Sequence, residues 1–244
     1  MKFYTVAVEG REEVGNYTLL HYRWRDGAVE PGQFVMARVA GYPVTLDPFL
    51  ARPFSFYDYD GEVASLLFEV RGRGTAILDR APHIEVSAPL GQGFRIDTAA
   101  DRAALLGGGV GVAPLKVLSR RLGALGIPHD VFLGFAEATT AEVAREFPGA
   151  RVATMDGSVG IRGTVLDAVP DLTAYPVVYA CGPNPMLAAV KRAVGAGSFC
   201  QLSVEERMGC GNGSCNGCVV PVRSGGYLRS CIEGPVFSAE ALAW

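Results

Sequence analysis

The chain has 244 residues, 49% of them hydrophobic and 19% charged, with a formal net charge of -3. That is the make-up of a globular protein with room for a substantial core, and it excludes a disordered chain and a basic nucleic-acid surface. The N-terminal stretch MKFYTVAVEGREEVG alternates and carries charges, so it has no signal-peptide core, and the longest weakly polar run, residues 103–115, is glycine-broken and too short to span a bilayer. A soluble cytoplasmic protein is expected, with thiols that are free or bound to metal rather than in disulfides.

Short alternating segments come first, at residues 3–8, 17–24, 33–39, 53–59, 63–70 and 84–88, separated by Gly, Pro and Asp clusters. Six such strands predict an antiparallel barrel, interrupted by one short helix over residues 75–80. Two stretches in it carry chemistry. Arg52-Pro53-Phe54-Ser55 sets a fixed cation, an aromatic ring and a hydroxyl side by side, and Gly72-Arg73-Gly74-Thr75 opens the short helix. A guanidinium and a helix start suit a pyrophosphate, and alternate side chains of a strand can address a flat ring. Taken singly, Arg52 reads as a surface charge and Phe54 as a core residue.

From residue 99 strands and helices alternate: strands at 103–106, 130–135, 151–155, 177–180 and 199–205, helices at 113–125, 141–147, 164–168 and 185–194. This predicts a doubly wound parallel sheet. Its first strand runs into Gly107-Gly108-Gly109-Val110-Gly111-Val112-Ala113-Pro114, where glycines let the backbone approach a dinucleotide and Pro114 suits a first helical turn. The pattern is not the G-x-G-x-x-G fingerprint, and a purely structural tight turn stands beside the binding reading. Cys181-Gly182-Pro183 lies at another strand-to-helix junction, where open sheets collect ligands. Cys200 reads as a buried structural thiol, and Cys181 either as one or as a site residue. Glu137, after the second strand of the sheet, can accept from ribose hydroxyls and repel a 2′-phosphate, which favours NAD over NADP; the alternative is a solvated carboxylate. No hydrolase elbow or H-E-x-x-H motif occurs, and the three histidines are scattered.

Four of the six cysteines close the chain: Cys210, Cys215, Cys218 and Cys231. The C-x4-C-x2-C spacing and the distant fourth cysteine are the plant-type [2Fe–2S] arrangement. Gly209, Gly211, Gly213, Ser214 and Gly217 suit a loop whose N–H groups turn inward on sulfur. A four-cysteine zinc site and disulfides are the competing readings; only the middle pair has zinc-like spacing.

On the barrel motif, Gly107–Pro114 and Cys181-Gly182-Pro183, the chain resembles the ferredoxin–NADP reductase superfamily. That resemblance implies that Arg52 binds an FAD pyrophosphate, that Pro53 and Phe54 lie along the isoalloxazine and that Ser55 hydrogen-bonds near flavin N5. It also implies that Leu67, Phe68 and Glu69 border the cofactor, that Gly74 and Thr75 cap the phosphates, and that Gly107, Gly108, Gly109, Gly111, Glu137, Gly182 and Pro183 bind nicotinamide dinucleotide. Cys181 would stand at the hydride-transfer point, making Ser55 and Cys181 the catalytic candidates. The family more often has Tyr where Phe54 stands; the ring face remains and a polar contact is lost.

Within the superfamily the chain is similar to the electron-transfer subunits of NAD-dependent (class 1B) dihydroorotate dehydrogenases, on those motifs together with Thr154-Met155-Asp156-Gly157-Ser158, Glu205-Glu206-Arg207-Met208 and the cysteine spacing. The likeness implies an FAD-binding barrel over 1–98, an NAD-binding α/β domain over 99–205 and a [2Fe–2S] domain over 206–244. It also implies an FMN-containing catalytic subunit as partner, in a heterotetramer. Because hydride carries two electrons and a cluster accepts one, a flavin is the converter that such a chain needs. Subunits of cytosolic hydrogenases, sulfide-linked reductases and ferredoxin:NADP oxidoreductases share the cofactor pattern, and a zinc-stapled NAD-binding regulator is the non-enzymatic alternative.

Overall fold

The computed structural model describes residues 1–41, 47–195 and 197–244. Strands β1 (Phe3–Val14), β2 (Tyr17–Arg23), β3 (Phe34–Val39), β4 (Arg52–Tyr59), β5 (Val63–Glu69) and β6 (His83–Ser87) close an antiparallel barrel in the order β1-β2-β5-β4-β3-β6. Helix α1 (Arg73–Leu78) joins β5 to β6. The barrel strands are not all half-exposed, and the reason lies in where they pack. Leu20, Tyr22, Leu66 and Phe68 point into the barrel, while their neighbours Leu19 and Leu67 point outward into a second core shared with the rest of the chain. Strands β2 and β5 therefore bury both faces along most of their length.

The second layer system is a sheet in the order β10-β9-β8-β7-β11-β12-β15, built from β7 (Ala103–Gly108), β8 (His129–Phe135), β9 (Arg151–Thr154), β10 (Ile161–Arg162), β11 (Val177–Cys181), β12 (Phe199–Ser203) and β15 (Val236–Ser238). Strands β7 to β12 pair in parallel, as the doubly wound pattern predicts, and side-chain parity decides which face each residue serves. Ala103 and Leu105 of β7 and Val177, Tyr179 and Cys181 of β11 face helix α2 (Ala113–Ala124) and the barrel; Ala104, Leu106, Val178 and Ala180 face helix α4 (Asn184–Ala193). Each large apolar side chain fully buried here contributes about 1.5–3 kcal/mol, so the common core of α2 and the barrel fixes one against the other. An ion pair at 2.6 Å from Arg120 on α2 to Asp58 on β4 and an edge-to-face pair of Tyr57 and Phe147 add register to that contact.

Three features depart from the sequence reading. The expected helix over 141–147 is a four-residue α3 (Ala138–Ala141) continued by a 3-10 turn (Glu142–Glu146), and the piece at 164–168 is likewise 3-10, Val165–Ala168. Successive Thr139 and Thr140 at the start and Val143 beyond are poor helix formers, and so short a segment cannot recover the cost of nucleation. The sheet also gains an antiparallel edge, because β15 pairs with β12, Leu202 opposite Phe237. Thus the cysteine-rich segment is not a free appendage: hairpin β13 (Val219–Pro221) and β14 (Tyr227–Arg229) leads back into the large sheet.

Candidate functional site

A cleft of about 280 Å³ opens between the barrel strands β4 and β5 and the C-terminal ends of β7, β11 and β12. This is where ligands of open parallel sheets bind. Of the residues singled out in the sequence, Pro53, Phe54, Ser55, Leu67, Phe68, Glu69, Gly111 and Cys181 meet in its walls. Phe54 packs on Phe68 with ring centroids 5.3 Å apart, which fixes one apolar wall. Period-two alternation along β11 from Val177 explains why Cys181 looks into the cleft rather than toward α4.

Arg52, one residue earlier on β4, lies in a neighbouring cavity together with Gly74 and Cys210. Its guanidinium rests directly on Gly74: any Cβ there would collide with it. It also donates to the Leu50 carbonyl at 2.6 Å. Thr75 is occupied locally, accepting from the Arg71 and Gly72 N–H groups at 3.0 and 3.2 Å and donating to the Gly72 carbonyl, so its hydroxyl shapes the turn. Arg52 thus sits against Gly74, and Thr75 holds the loop around it.

The glycine loop divides its labour. A Cβ on Gly107 would meet Leu115, Leu133 and Val112 at 3.0 Å, and one on Gly108 would strike Met186 and approach Pro183 at 3.2 Å. At Gly111 it would lie 2.5 Å from the Cys181 carbonyl oxygen and 2.6 Å from Gly182 Cα. Gly111 lets two strand-to-helix turns press backbone against backbone, while Gly107 and Gly108 make room for side chains. Only Gly109, at φ +55°, leaves open space where its side chain would be. Gly182 has φ +157° and packs on Met186, with Pro183 as the N-cap of α4. Glu137 stands outside the cleft walls and accepts from the Thr139 hydroxyl at 2.8 Å, at the start of α3.

Cys181 is only 2% exposed. Burial pushes its thiol well above the ordinary range, the Glu205 charge adds to that, and a hydrogen bond with Ser203 only partly offsets it. It is accordingly a neutral, polarisable wall rather than a thiolate. Burial likewise raises Cys200 to about 12, in keeping with a structural thiol.

Glu205, like Phe34, is a cleft residue to which the sequence alone assigned no role. Glu205 is solvent-exposed at the cleft mouth, yet the cleft walls crowd its carboxyl enough to raise its pKa, with Arg71 across the cleft partly offsetting, and solvent screening keeps the effect small. A group whose folded pKa is raised stabilises the fold below the ordinary carboxylate range and loses that contribution as the pH climbs through the raised value. Flavin-free Glu205→Gln is therefore expected to melt above flavin-free wild type at neutral pH but not at pH about 4, where the wild-type carboxyl is largely protonated. Thermal melts of both at the two pH values check this.

The cysteines stand two and two: Cys210 contacts Cys215, and Cys218 contacts Cys231. Among the described residues no three His, Cys, Asp or Glu side chains converge on a single metal-ion position. The pairing suits a two-iron cluster, with one pair of thiolates for each iron. The loop supplies donors as well: the Asn212 and Cys215 N–H groups reach Cys210 Sγ at 3.5 and 3.4 Å, and the Gly217 N–H reaches Cys215 Sγ at 3.4 Å. Positive φ falls at Gly211, Gly213 and Asn216, not at Gly209 or Gly217. At Cys210 burial opposes ionisation, but the N–H donors outweigh it and bring the thiol down to about 7. Burial holds Cys231 up at about 12, with the Cys218 thiol reinforcing it.

Two side chains join the thiols to the cleft. Phe34 and Met208 line the cleft and also pack in the small core that contains Met36, Cys218 and Cys231. Phe34 lies opposite Ser55 and Met36 opposite Pro53 in the β3–β4 register, so the cysteine loop is one strand removed from the barrel motif.

Comparison with known proteins agrees with this geometry. A family model described as the iron-sulfur cluster binding domain of dihydroorotate dehydrogenase B matches residues 205–243. The chain is 37% identical over 233 residues to the dihydroorotate dehydrogenase B (NAD(+)) electron transfer subunit of Caldanaerobacter subterraneus subsp. tengcongensis, covering 90% of this chain and 89% of that protein. It is 40% identical over 223 residues to the subunit of the same name from Geobacillus thermodenitrificans, covering 86% and 85%. In fold it is similar to a solved NADH-dependent reduced ferredoxin-NADP oxidoreductase, with a TM-score of 0.84 at 24% identity over 98% of this chain and 90% of that one. Phthalate dioxygenase reductase shares the fold at a TM-score of 0.60 and 16% identity, over 99% and 96%. With such identity over most of its length, the chain belongs to the family of dihydroorotate dehydrogenase B (NAD(+)) electron transfer subunits, oxidoreductase components that serve a separate catalytic subunit.

Proposed function

We propose that the chain binds FAD, a [2Fe–2S] cluster and NAD, and that it carries electrons from an FMN-containing catalytic subunit to NAD during oxidation of dihydroorotate to orotate. The observation that carries this reading is the shared wall: Phe34 and Met208 touch both the thiol core and the cleft. When bound, the flavin exchanges hydride with nicotinamide and single electrons with the cluster. The residues here position that exchange. Phe54, Pro53 and Leu67 offer apolar faces to a flat ring, Ser55 offers it a hydroxyl, and Arg52 holds the anionic linker. Gly109 and the turn at Cys181-Gly182-Pro183 admit the dinucleotide from the sheet side, and Cys181 packs beside the meeting point without exchanging protons.

The thiol pairs differ in exposure. Cys218 and Cys231 are buried and Cys215 is exposed, so the loop has an inner side toward Phe34 and Met36 and an outer side toward solvent. Phe49 and Leu50, 65% and 51% exposed, flank the outer side near Cys210. That apolar rim is the docking face we assign to the catalytic subunit, in a heterotetramer. Among the described residues no helix is long and apolar enough to cross a membrane.

Anaerobically purified protein is expected to be brown-yellow, with flavin and cluster absorption, iron and acid-labile sulfide in equal amounts, and an electron paramagnetic resonance signal on reduction. Colourless protein with stoichiometric zinc would overturn the reading.

A further inference from the structure

Ser230 is 0% exposed, and its Oγ is one of the few buried side-chain oxygens without a hydrogen-bond partner among the described residues. Its place in the fold makes this informative. Strands β13 and β14 pair with Val219 opposite Arg229 and Val220 opposite Leu228. One step further along the same register sets Ser230 opposite Cys218, and the Ser230 N–H donates to the Cys218 carbonyl at 2.9 Å. Residues directly opposite in an antiparallel pair project to the same face. Val220 and Leu228, two positions along, are packed in the protein's interior on that face, whereas Arg229, on the other, is partly exposed. The hydroxyl thus shares the inner face of the ribbon with the Cys218 thiol, and Cys231 is its chain neighbour.

A buried hydroxyl without a partner is costly, so an acceptor is expected at that spot in the working protein. The acceptors that this environment would bring are the sulfurs of a cluster held by Cys218 and Cys231. From this we infer that Ser230 donates a hydrogen bond to a sulfur of the cluster and thereby sets its reduction potential. The inference rests on the cluster reading given above. It is a positioning role: one electron enters or leaves the cluster, no bond is made or broken, and the hydroxyl keeps its proton. A donor aimed at sulfur stabilises the reduced form more than the oxidised one, because the added electron increases the charge it faces.

The test is a mediated redox titration of the holoprotein, followed by the electron paramagnetic resonance signal of the reduced cluster, for wild type, Ser230→Ala and Ser230→Thr. Ser230→Ala is expected to disfavour cluster reduction about tenfold, which is 59 mV more negative for a one-electron couple. Ser230→Thr, which keeps the hydroxyl, should stay within about twofold of wild type, against that tenfold. A loaded Ser230→Ala with an unchanged potential overturns the inference, and would mean that a buried water satisfies the hydroxyl. If the alanine variant does not retain its cluster, the threonine variant decides: a wild-type potential supports the bond, and a shifted potential or a lost cluster overturns it. Wild-type protein lacking a cluster would sink the cofactor reading itself, a distinct outcome.

Discussion

Cys215→Ala is expected to abolish electron exchange with the catalytic subunit while leaving NADH-driven reduction of a small dye close to the wild-type rate. The two halves follow from two separate features. Cys215 is the exposed member of the four thiols, so removing its sulfur leaves no buried cavity and the fold is retained. What is lost is one of four ligands, together with the contact to Cys210 and the acceptor for the Gly217 N–H. The cleft is untouched: Phe54, Ser55, Gly111 and Cys181 lie on the far side of Phe34 and Met208 from the loop. Hydride exchange between nicotinamide and flavin therefore proceeds, and a dye that collects electrons at the flavin still turns over. The measurement is a pair of steady-state assays on flavin-loaded variant and wild type, one with dye and one with dihydroorotate and the reconstituted partner. Equal loss in both would place the cluster between nicotinamide and flavin and contradict the proposed order.

What the sequence made legible, and what it did not, divides along chain distance. Motifs whose residues are neighbours stand out in the sequence: residues 52–55 fall on one strand, 107–114 and 181–183 at strand-to-helix junctions, and Cys210, Cys215 and Cys218 in one loop. The contribution of Phe34 was not readable. In sequence it is an ordinary strand residue, and only the β3–β4 register sets it opposite Ser55 while the C-terminal loop folds back over it. Glu205 was visible as part of Glu205-Glu206-Arg207-Met208, but its surroundings come from Arg71 on the barrel and from Cys181, each remote in the chain. The antiparallel β15 was hidden for a related reason: three residues after a cysteine-rich hairpin carry too short a pattern to identify a strand, and pairing with β12 is a tertiary choice. Parity would have been the usable signal. Reading Phe34 and Met36 as one face of a strand, next to a motif that begins at Arg52, would have suggested a shared wall.

Gly111→Ala is expected to weaken nicotinamide use while sparing flavin and cluster. The reason is geometric and specific to this position. A methyl at residue 111 would lie 2.5 Å from the Cys181 carbonyl oxygen and 2.6 and 2.7 Å from Gly182 Cα and the Cys181 carbonyl carbon. All three are backbone atoms of a buried strand end, so no side chain can swing away to make room, in contrast to Gly107, whose neighbours are the ends of leucine and valine side chains at 3.0 Å. The two turns must separate by a fraction of an ångström or more, and overpacking of this kind costs about 1–3 kcal/mol. If that strain falls on the bound geometry, kcat/KM for NADH drops roughly 5- to 150-fold, at about 1.4 kcal/mol for each tenfold. The barrel side of the cleft is unaffected, because Arg52, Gly74, Phe54 and Phe68 hold one another through contacts that do not involve residue 111. Flavin content, the electron paramagnetic resonance signal and photochemical reduction of the variant should therefore match wild type, with NADH-dependent reduction alone impaired. A Gly111→Ala protein that lost its flavin, or one that used NADH at the wild-type rate, would contradict the division of the cleft into a barrel wall for the flavin and a two-turn wall for the dinucleotide.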